Sequence, residues 1–326
     1  MRTSEILSAF SSHSALVVGD ICLDRWCTYD PAETEPSRET GIPRIGVVST
    51  TVSPGAGGTI ANNLAALGIG RVAVLGAIGE DGAGFELTRT LNASGISTDL
   101  MVRSAELPTF TYTKLIEWST GEENLPRVDF ILAKPLPEKV EARILEHLRT
   151  FVADFDIIFI SDQAETRRGG VVTPAVRSAL ADLARQYPKK VVWADSRVRL
   201  ARFRNVILKA NEQEADTACA ALFGGVDYQR LRRHVESELL IVTQGERGAL
   251  IVNDQGETLV PGRTASKAVD ICGAGDAFSA GAAVALAITG SPVEAAAFGN
   301  LVAGITVMKK GTGTACREEV LAAANE

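Results

Sequence analysis

Short, largely apolar runs recur along the chain, each closed by a glycine or a polar residue. They lie at 15–18 before Gly19-Asp20, at 72–75 before Gly76 and at 156–160 before Ser161-Asp162. Others lie at 190–194 before Asp195-Ser196-Arg197, at 205–209 before Ala210-Asn211 and at 239–243 before Gln244-Gly245. A run that is apolar at consecutive positions predicts a strand buried on both faces, as in a parallel sheet. Helical patterns alternate with these strands through the second half of the chain. The expected fold class is therefore α/β, a three-layer α/β/α sandwich around a mostly parallel sheet. Open sheets of this kind bind ligands beyond the carboxyl ends of their strands. Four successive strands end there in polar residues or glycine, so a site belongs at that edge.

A different pattern fills 25–53. Pro31, Pro36 and Pro43 exclude a helix, and the β-branched stretch 45–52 predicts a strand. Residues 109–116 and 127–130, on either side of the polar turn 119–124, read as two more strands.

One stretch carries chemistry on its face: Asp270-Ile271-Cys272-Gly273-Ala274-Gly275-Asp276, followed by the small apolar run 277–288. That run predicts a buried helix, which places Gly-Ala-Gly at its start. A helix start offers unpaired N–H groups and the positive end of the dipole, which suit an anion. Asp276 falls in the first turn. It is either a favourable first-turn acid or a base that takes a proton from a hydroxyl attacking a bound phosphate. Gly55-Ala56-Gly57-Gly58-Thr59 is a second glycine-rich entry to a helix, which closes at Gly68. Asn211-Glu212-Gln213-Glu214 has the spacing of a capping box. Gly76, Gly79, Asp81 and Gly84 open another helix, but not with the spacing of a dinucleotide fingerprint.

The 270–276 motif closely resembles the C-terminal signature of the ribokinase/PfkB family of sugar kinases, with Cys272 where the family usually has Thr. The 76–84 segment matches the family's N-terminal signature. The resemblance runs from Val17 to about Val320. It implies an ATP-dependent kinase, with Asp276 as catalytic base and Gly273, Ala274 and Gly275 as anion hole. It implies a β-sheet lid built from about 21–53 and 109–131, on a single kinase domain spanning 1–326.

The resemblance also assigns binding residues. Asp20, Asp24, Gly55, Thr59, Asp162 and Asp276 fall at its sugar site, with Asp24 favoured over Asp20. Thr59 takes the place of the family's sugar-binding Asn, and Ala56 that of its second Gly, when the segment is aligned back from Leu67-Gly68. In the other register Gly57, Gly58 and Asn62 are the match. Asn211, Glu214, Thr243, Gly245, Gly248 and Asn300 fall at the nucleotide site. Asn211 and Glu214 order Mg²⁺ indirectly. Asp270 shapes the loop and helps hold a monovalent cation, K⁺. The forms Gly19-Asp20-x-x-Leu23-Asp24-Arg25 and Arg127-x-Asp129-Phe130 look most like the heptose-7-phosphate kinase branch. The sequence lacks the adenylyltransferase domain that often follows that kinase. The family's Lys after Ser161-Asp162 is missing, and Arg167-Arg168 stands nearby.

Composition narrows the alternatives. The chain has 326 residues, 46% hydrophobic and 22% charged, as in ordinary globular proteins. A net charge of −7 argues against a nucleic-acid partner. No apolar run reaches membrane length and the N-terminus has no leader-like core, so a cytoplasmic protein is expected. Five cysteines without paired spacing fit free thiols, and the three histidines are isolated. A lid-to-lid homodimer is expected, as in related kinases. Two other readings stand beside the sugar-phosphate kinase: a kinase for another sugar or a nucleoside, and a non-catalytic sensor.

Overall fold

The computed structural model describes residues 1–166, 168–262 and 268–325. The continuous apolar runs pair side by side in one large sheet, because strands apolar on both faces are buried only when helices cover both sides. In chain order they are β1 (Ser14–Gly19), β4 (Arg71–Leu75), β9 (Ile157–Asp162), β10 (Val191–Ser196), β11 (Ile207–Asn211) and β12 (Leu240–Thr243). All six pair in parallel, in the order β12-β11-β10-β9-β1-β4. Two antiparallel strands, β13 (Gly248–Asn253) and β14 (Gly256–Pro261), extend the β12 edge to make eight.

Residues alternate between two cores along these strands. Val17, Phe159, Trp193 and Ile241 face one layer of helices, and Leu16, Ile158, Ala194 and Leu240 face the other. The first layer holds α1 (Thr3–Phe10), α2 (Gly57–Ala66), α8 (Ala274–Thr289), α9 (Pro292–Thr306) and α10 (Arg317–Ala324). The second holds α4 (Glu138–Phe151), α5 (Pro174–Gln186), α6 (Glu212–Phe223) and α7 (Tyr228–His234). Helix α8 is apolar nearly all round, with ten consecutive buried residues from Ala277 to Leu286. A helix of that kind belongs in the middle of a layer. It packs on α9 and α2.

A second, four-stranded sheet stands apart, in the order β3-β2-β7-β8. It comprises β2 (Ile21–Tyr29), β3 (Val47–Ala56), β7 (Thr111–Glu117) and β8 (Val128–Phe130). The prolines between β2 and β3 leave one 3₁₀ turn, Pro31–Glu33. Short strands β5 (Ala77–Gly79) and β6 (Val102–Ser104) pair with each other, and α3 (Gly82–Ala93) follows β5. β2 leaves β1 after a single residue, Asp20. The two sheets therefore meet at the carboxyl edge of the large one.

Candidate active site

A pocket opens where the small sheet faces the start of α8. Its floor is Cys272, Gly273 and Asp276, one wall is Asp24, Arg25 and Trp26 from β2, and another is Tyr112, Lys114 and Arg127 from β7 and the approach to β8. Gln163 and Arg197 reach in from the ends of β9 and β10, and Ala56, Thr59 and Thr312 complete it.

The floor follows from local backbone. Gly273 caps α8 with φ 77°, in the left-handed region, and the helix begins at Ala274 with Asp276 in its first turn. The Asp270 carboxylate holds the preceding loop, accepting from the N–H of Cys272 at 2.9 Å and of Gly311 at 3.0 Å. Gly275 lies in close approach to a lysine: a Cβ there would lie 2.7 Å from Lys209 Nζ and would have to displace it. That lysine is buried and ion-paired to buried Asp195 at 2.7 Å. Burial, with the Asp195 charge, pushes the Asp276 carboxyl up to about 7, against the opposing pull of Lys209 and Arg197. A carboxyl that titrates near neutrality in a pocket suits a proton acceptor.

Asp24 lies in the pocket, and burial raises its carboxyl to about 6 despite Lys114 and Arg127. Gly55 pairs with Cys22 across from it, and a Cβ at Gly55 would overlap the Asp24 carboxyl. Thr59 lines the pocket and donates to Pro54 O at 3.2 Å, whereas Asn62 does not reach it. Ala56 and Thr59 both line the pocket, as the first of the two registers expects. Ala56 takes φ 52°, a glycine-type conformation at the position where the family's Gly was expected.

Two acids expected at the sugar site do not line it. Asp20 is 1% exposed, and both its oxygens are occupied. It accepts from the N–H of Gln163 and Ala164 at 2.8 Å and of Val171 at 2.7 Å. Asp162 is fully buried, paired with Arg199 at 2.7 Å and accepting from Ser196 Oγ at 2.7 Å. Arg199 in turn donates to Ala164 O, Thr166 O and Gly169 O. Asp20, Asp162 and Arg199 thus bind the loop that carries Gln163, and neither carboxylate lines the pocket. A strand-end acid looks the same in sequence whether it faces a ligand or a loop. Arg167 lies outside the described residues, and Arg168 is exposed.

The residues assigned to a nucleotide lie along the next strand ends. Asn211 and Glu214 form the reciprocal capping box, with both bonds at 2.8 Å. Thr243 donates to Ala210 O, and Gly245 and Gly248 both have positive φ in the turn to β13. Arg247 and Gln244 both bond Glu212, which ties that turn to α6. Asn300 is 9% exposed, and its carboxamide donates to Val260 O and Pro261 O at 3.1 Å. It holds the end of β14. The Gly-Ala-Gly turn fits phosphate: it is a helix start with a lysine beneath it. No cluster of three or more metal-ligating side chains occurs among the described residues. A divalent ion would therefore depend on phosphate oxygens for most of its ligands.

The architecture and the 270–276 turn agree with what is found among known proteins. The model of the pfkB family of carbohydrate kinases matches residues 13–319. The chain belongs to that family. That is a family of carbohydrate kinases, phosphotransferases with an alcohol group as acceptor. Among curated relatives, the bifunctional protein HldE of Shewanella piezotolerans is 29% identical over 320 residues, covering 97% of this chain and 64% of that protein. HldE of Caulobacter sp. (strain K31) is 30% identical over 325 residues, again 97% and 64%. The chain thus spans just under two thirds of the length of these relatives. Among solved structures, ribokinase from Thermotoga maritima superposes with a TM-score of 0.69 at 23% identity, covering 96% of this chain and all of that one. At that identity the likeness speaks for the fold.

The pocket is also lined by residues that the sequence motifs did not single out, Trp26, Tyr112, Lys114 and Gln163, and the buried Lys209 lies beneath its floor. Lys209 left a readable signal, a charge inside the apolar run 206–210. Tyr112 and Lys114 left none, because only the pairing of β7 with β2 turns them toward Asp276. Among the described residues no helix is long and apolar enough to cross a membrane.

Proposed function

We propose that this kinase phosphorylates a hydroxyl of a sugar phosphate, with heptose 7-phosphate as the first candidate. The observation that carries this reading is the charge of the pocket. Among its lining residues, Arg25, Lys114, Arg127 and Arg197 outnumber the carboxylates Asp24 and Asp276 two to one. A neutral sugar needs no such set of cations, whereas a phosphate can share them with their carboxylate partners through charge-assisted hydrogen bonds. Each cation is held in place from outside: Arg25 by Glu86, Lys114 by Glu123, Arg127 by Asp129 and Arg197 by Glu165. Arg127 also lies over the Tyr112 ring, 5.0 Å from its centroid. The HldE relatives agree with a phosphorylated acceptor of the heptose class.

Asp24 hydrogen-bonds the sugar and orients it, with Thr59 beside it. Asp276 takes the proton of the attacking hydroxyl as that oxygen bonds to the transferred phosphorus and ADP leaves. The N–H groups of the Gly273–Gly275 turn hold the charge that builds up on the phosphoryl oxygens. Asn211, Glu214 and the 243–248 turn seat the nucleotide. Asn211 and Glu214 would help to order Mg²⁺, which would supply neutralisation of the nucleotide phosphates. Asp270 has both oxygens committed to the loop, so any part in holding K⁺ falls to its backbone. The small sheet acts as the lid, and two copies pair through it in a cytoplasmic homodimer.

A coupled kinase assay over sugar phosphates, neutral sugars and nucleosides tests the substrate. Heptose 7-phosphate or a related sugar phosphate should exceed neutral pentoses and nucleosides in kcat/KM by at least ~10², the worth of one or two charged contacts. Preference for an uncharged acceptor would overturn the sugar-phosphate reading.

A further inference from the structure

Beneath the Gly-Ala-Gly turn lies a charge pair for which the reading above has no use. Lys209 projects from β11 and Asp195 ends β10. Both are about 4% exposed and they meet at 2.7 Å. Burying a lysine in an α/β core is costly, and a buried ion pair is seldom a gain in stability over a well-packed apolar pair. The glycine at 275 also points to the pair, because any side chain there would collide with the ammonium. Backbone room has been kept for a cation at the point where α8 starts.

We propose that Lys209 and Asp195 are positioning residues for the phosphoryl transfer. The ammonium, seated against Gly275, places a positive charge inside the fold beside Asp276 and the anion-holding turn, and Asp195 keeps it there. The inference rests on the kinase reading and deepens it.

Several charged groups face Asp276. Asp195 and Arg197 come from the end of β10, Lys209 from β11 and Asp24 from β2. The Cys22 and Cys272 thiols lie close by, and Glu214 at the start of α6 faces Lys209. Lys209 pulls the Asp276 carboxyl down and Asp195 pushes it up. Burial works against the lysine's own charge, but Asp195 and Glu214 outweigh it and hold the ammonium above its ordinary value. The pair thus sets two opposing influences on one carboxyl.

That opposition allows a test that simple destabilisation cannot imitate. Lys209→Met and Asp195→Asn both break the same ion pair, and both should lower Tm. If the pair only braces the core, neither moves the acid limb of the kcat/KM profile. If the pair governs Asp276, Lys209→Met moves the limb up by about one pH unit and Asp195→Asn moves it down by a similar amount. A readout independent of turnover comes from Tm against pH. The pH at which wild type and Asp276→Asn diverge should shift the same way in each background. Shifts in one direction for both variants, or none, would overturn the inference. Should Lys209→Met fail to fold, Asp195→Asn decides alone: a downward shift supports the inference, and an upward or absent one defeats it. Absence of turnover in the wild type on every sugar would instead sink the kinase reading, with the stability readout still deciding the role of the pair.

Discussion

At the scale of single residues, Asp276 carries the clearest expectations. A base held near 7 must lose its proton to act, so kcat/KM should rise with pH through about 7. Asp276→Asn should lower kcat by ~10²–10⁴, the usual worth of a positioned base, while ATP affinity changes little. The same raised carboxyl bears on stability. Folded Asp276 keeps its proton up to about 7, from an ordinary value of 3.8 in the unfolded chain. Between those values the folded state binds more protons, so stability falls as pH rises and stays lowered above 7. Asp276→Asn should therefore be more stable than wild type at pH 8, by on the order of 3 kcal/mol, with the gain gone near pH 4. Thermal scans across pH would show it, and equal curves at pH 8 would count against a buried, charged Asp276. Asn211 and Glu214 face a double demand. Alanine at either should cost about 1 kcal/mol as a lost cap, and should also raise the Mg²⁺ needed for half-maximal rate. A lower Tm with unchanged metal dependence would leave only the cap.

At the scale of elements, the loop 163–171 and the strand β2 decide how the pocket is held. The loop's described residues have no regular structure, yet Asp20 takes three of their N–H groups and Arg199 three of their carbonyls. Removing one member of a buried pair leaves the other charge stranded, at a cost of ~3–5 kcal/mol. Arg199→Met should accordingly lower Tm sharply. In protein that still folds, it should raise KM for the sugar through Gln163 and leave nucleotide binding unchanged, which isothermal titration with each ligand can separate. On β3, beside β2, Gly55→Ala should displace the Asp24 carboxyl and raise sugar KM on the order of tenfold, as for one lost hydrogen bond to a charged group. Unchanged KM would show that Asp24 need not sit against β3.

At the scale of the whole molecule, the small sheet has apolar surface that the described residues leave exposed. The first five residues of β3 are exposed on both sides of the strand. Val48, Val128, Phe130 and Ile131 are each about half exposed and Trp118 is 68% exposed. Apolar sheet surface of this kind calls for a partner, and we expect a second copy packed sheet to sheet. Light scattering at micromolar concentration should give the dimer mass, and Val48→Lys with Phe130→Lys should give the monomer. A monomeric wild type would argue strongly against the pairing.

The sequence by itself determined the large sheet, the position of the anion-holding turn and the family. Those depend on local signals: consecutive apolar residues, a glycine pair before a helix, an acid in its first turn. It also located the strands of the small sheet, through their prolines and β-branched residues. It left open which strand-end acids face the ligand. Asp20 and Asp24 are four residues apart and alike in type. Only the path of β2 out of the large sheet turns one into the pocket and the other into a ring of backbone N–H groups. The same holds for Asp162, whose carboxylate is turned to Arg199 and Ser196, and for Asn300, whose amide nitrogen is turned to the end of β14. Lys209 and Asp195 are fourteen residues apart in sequence, and only the adjacency of β10 and β11 brings them together under Gly275. Tertiary structure decided these matters because burial and pairing are properties of neighbours in space, which short motifs do not encode.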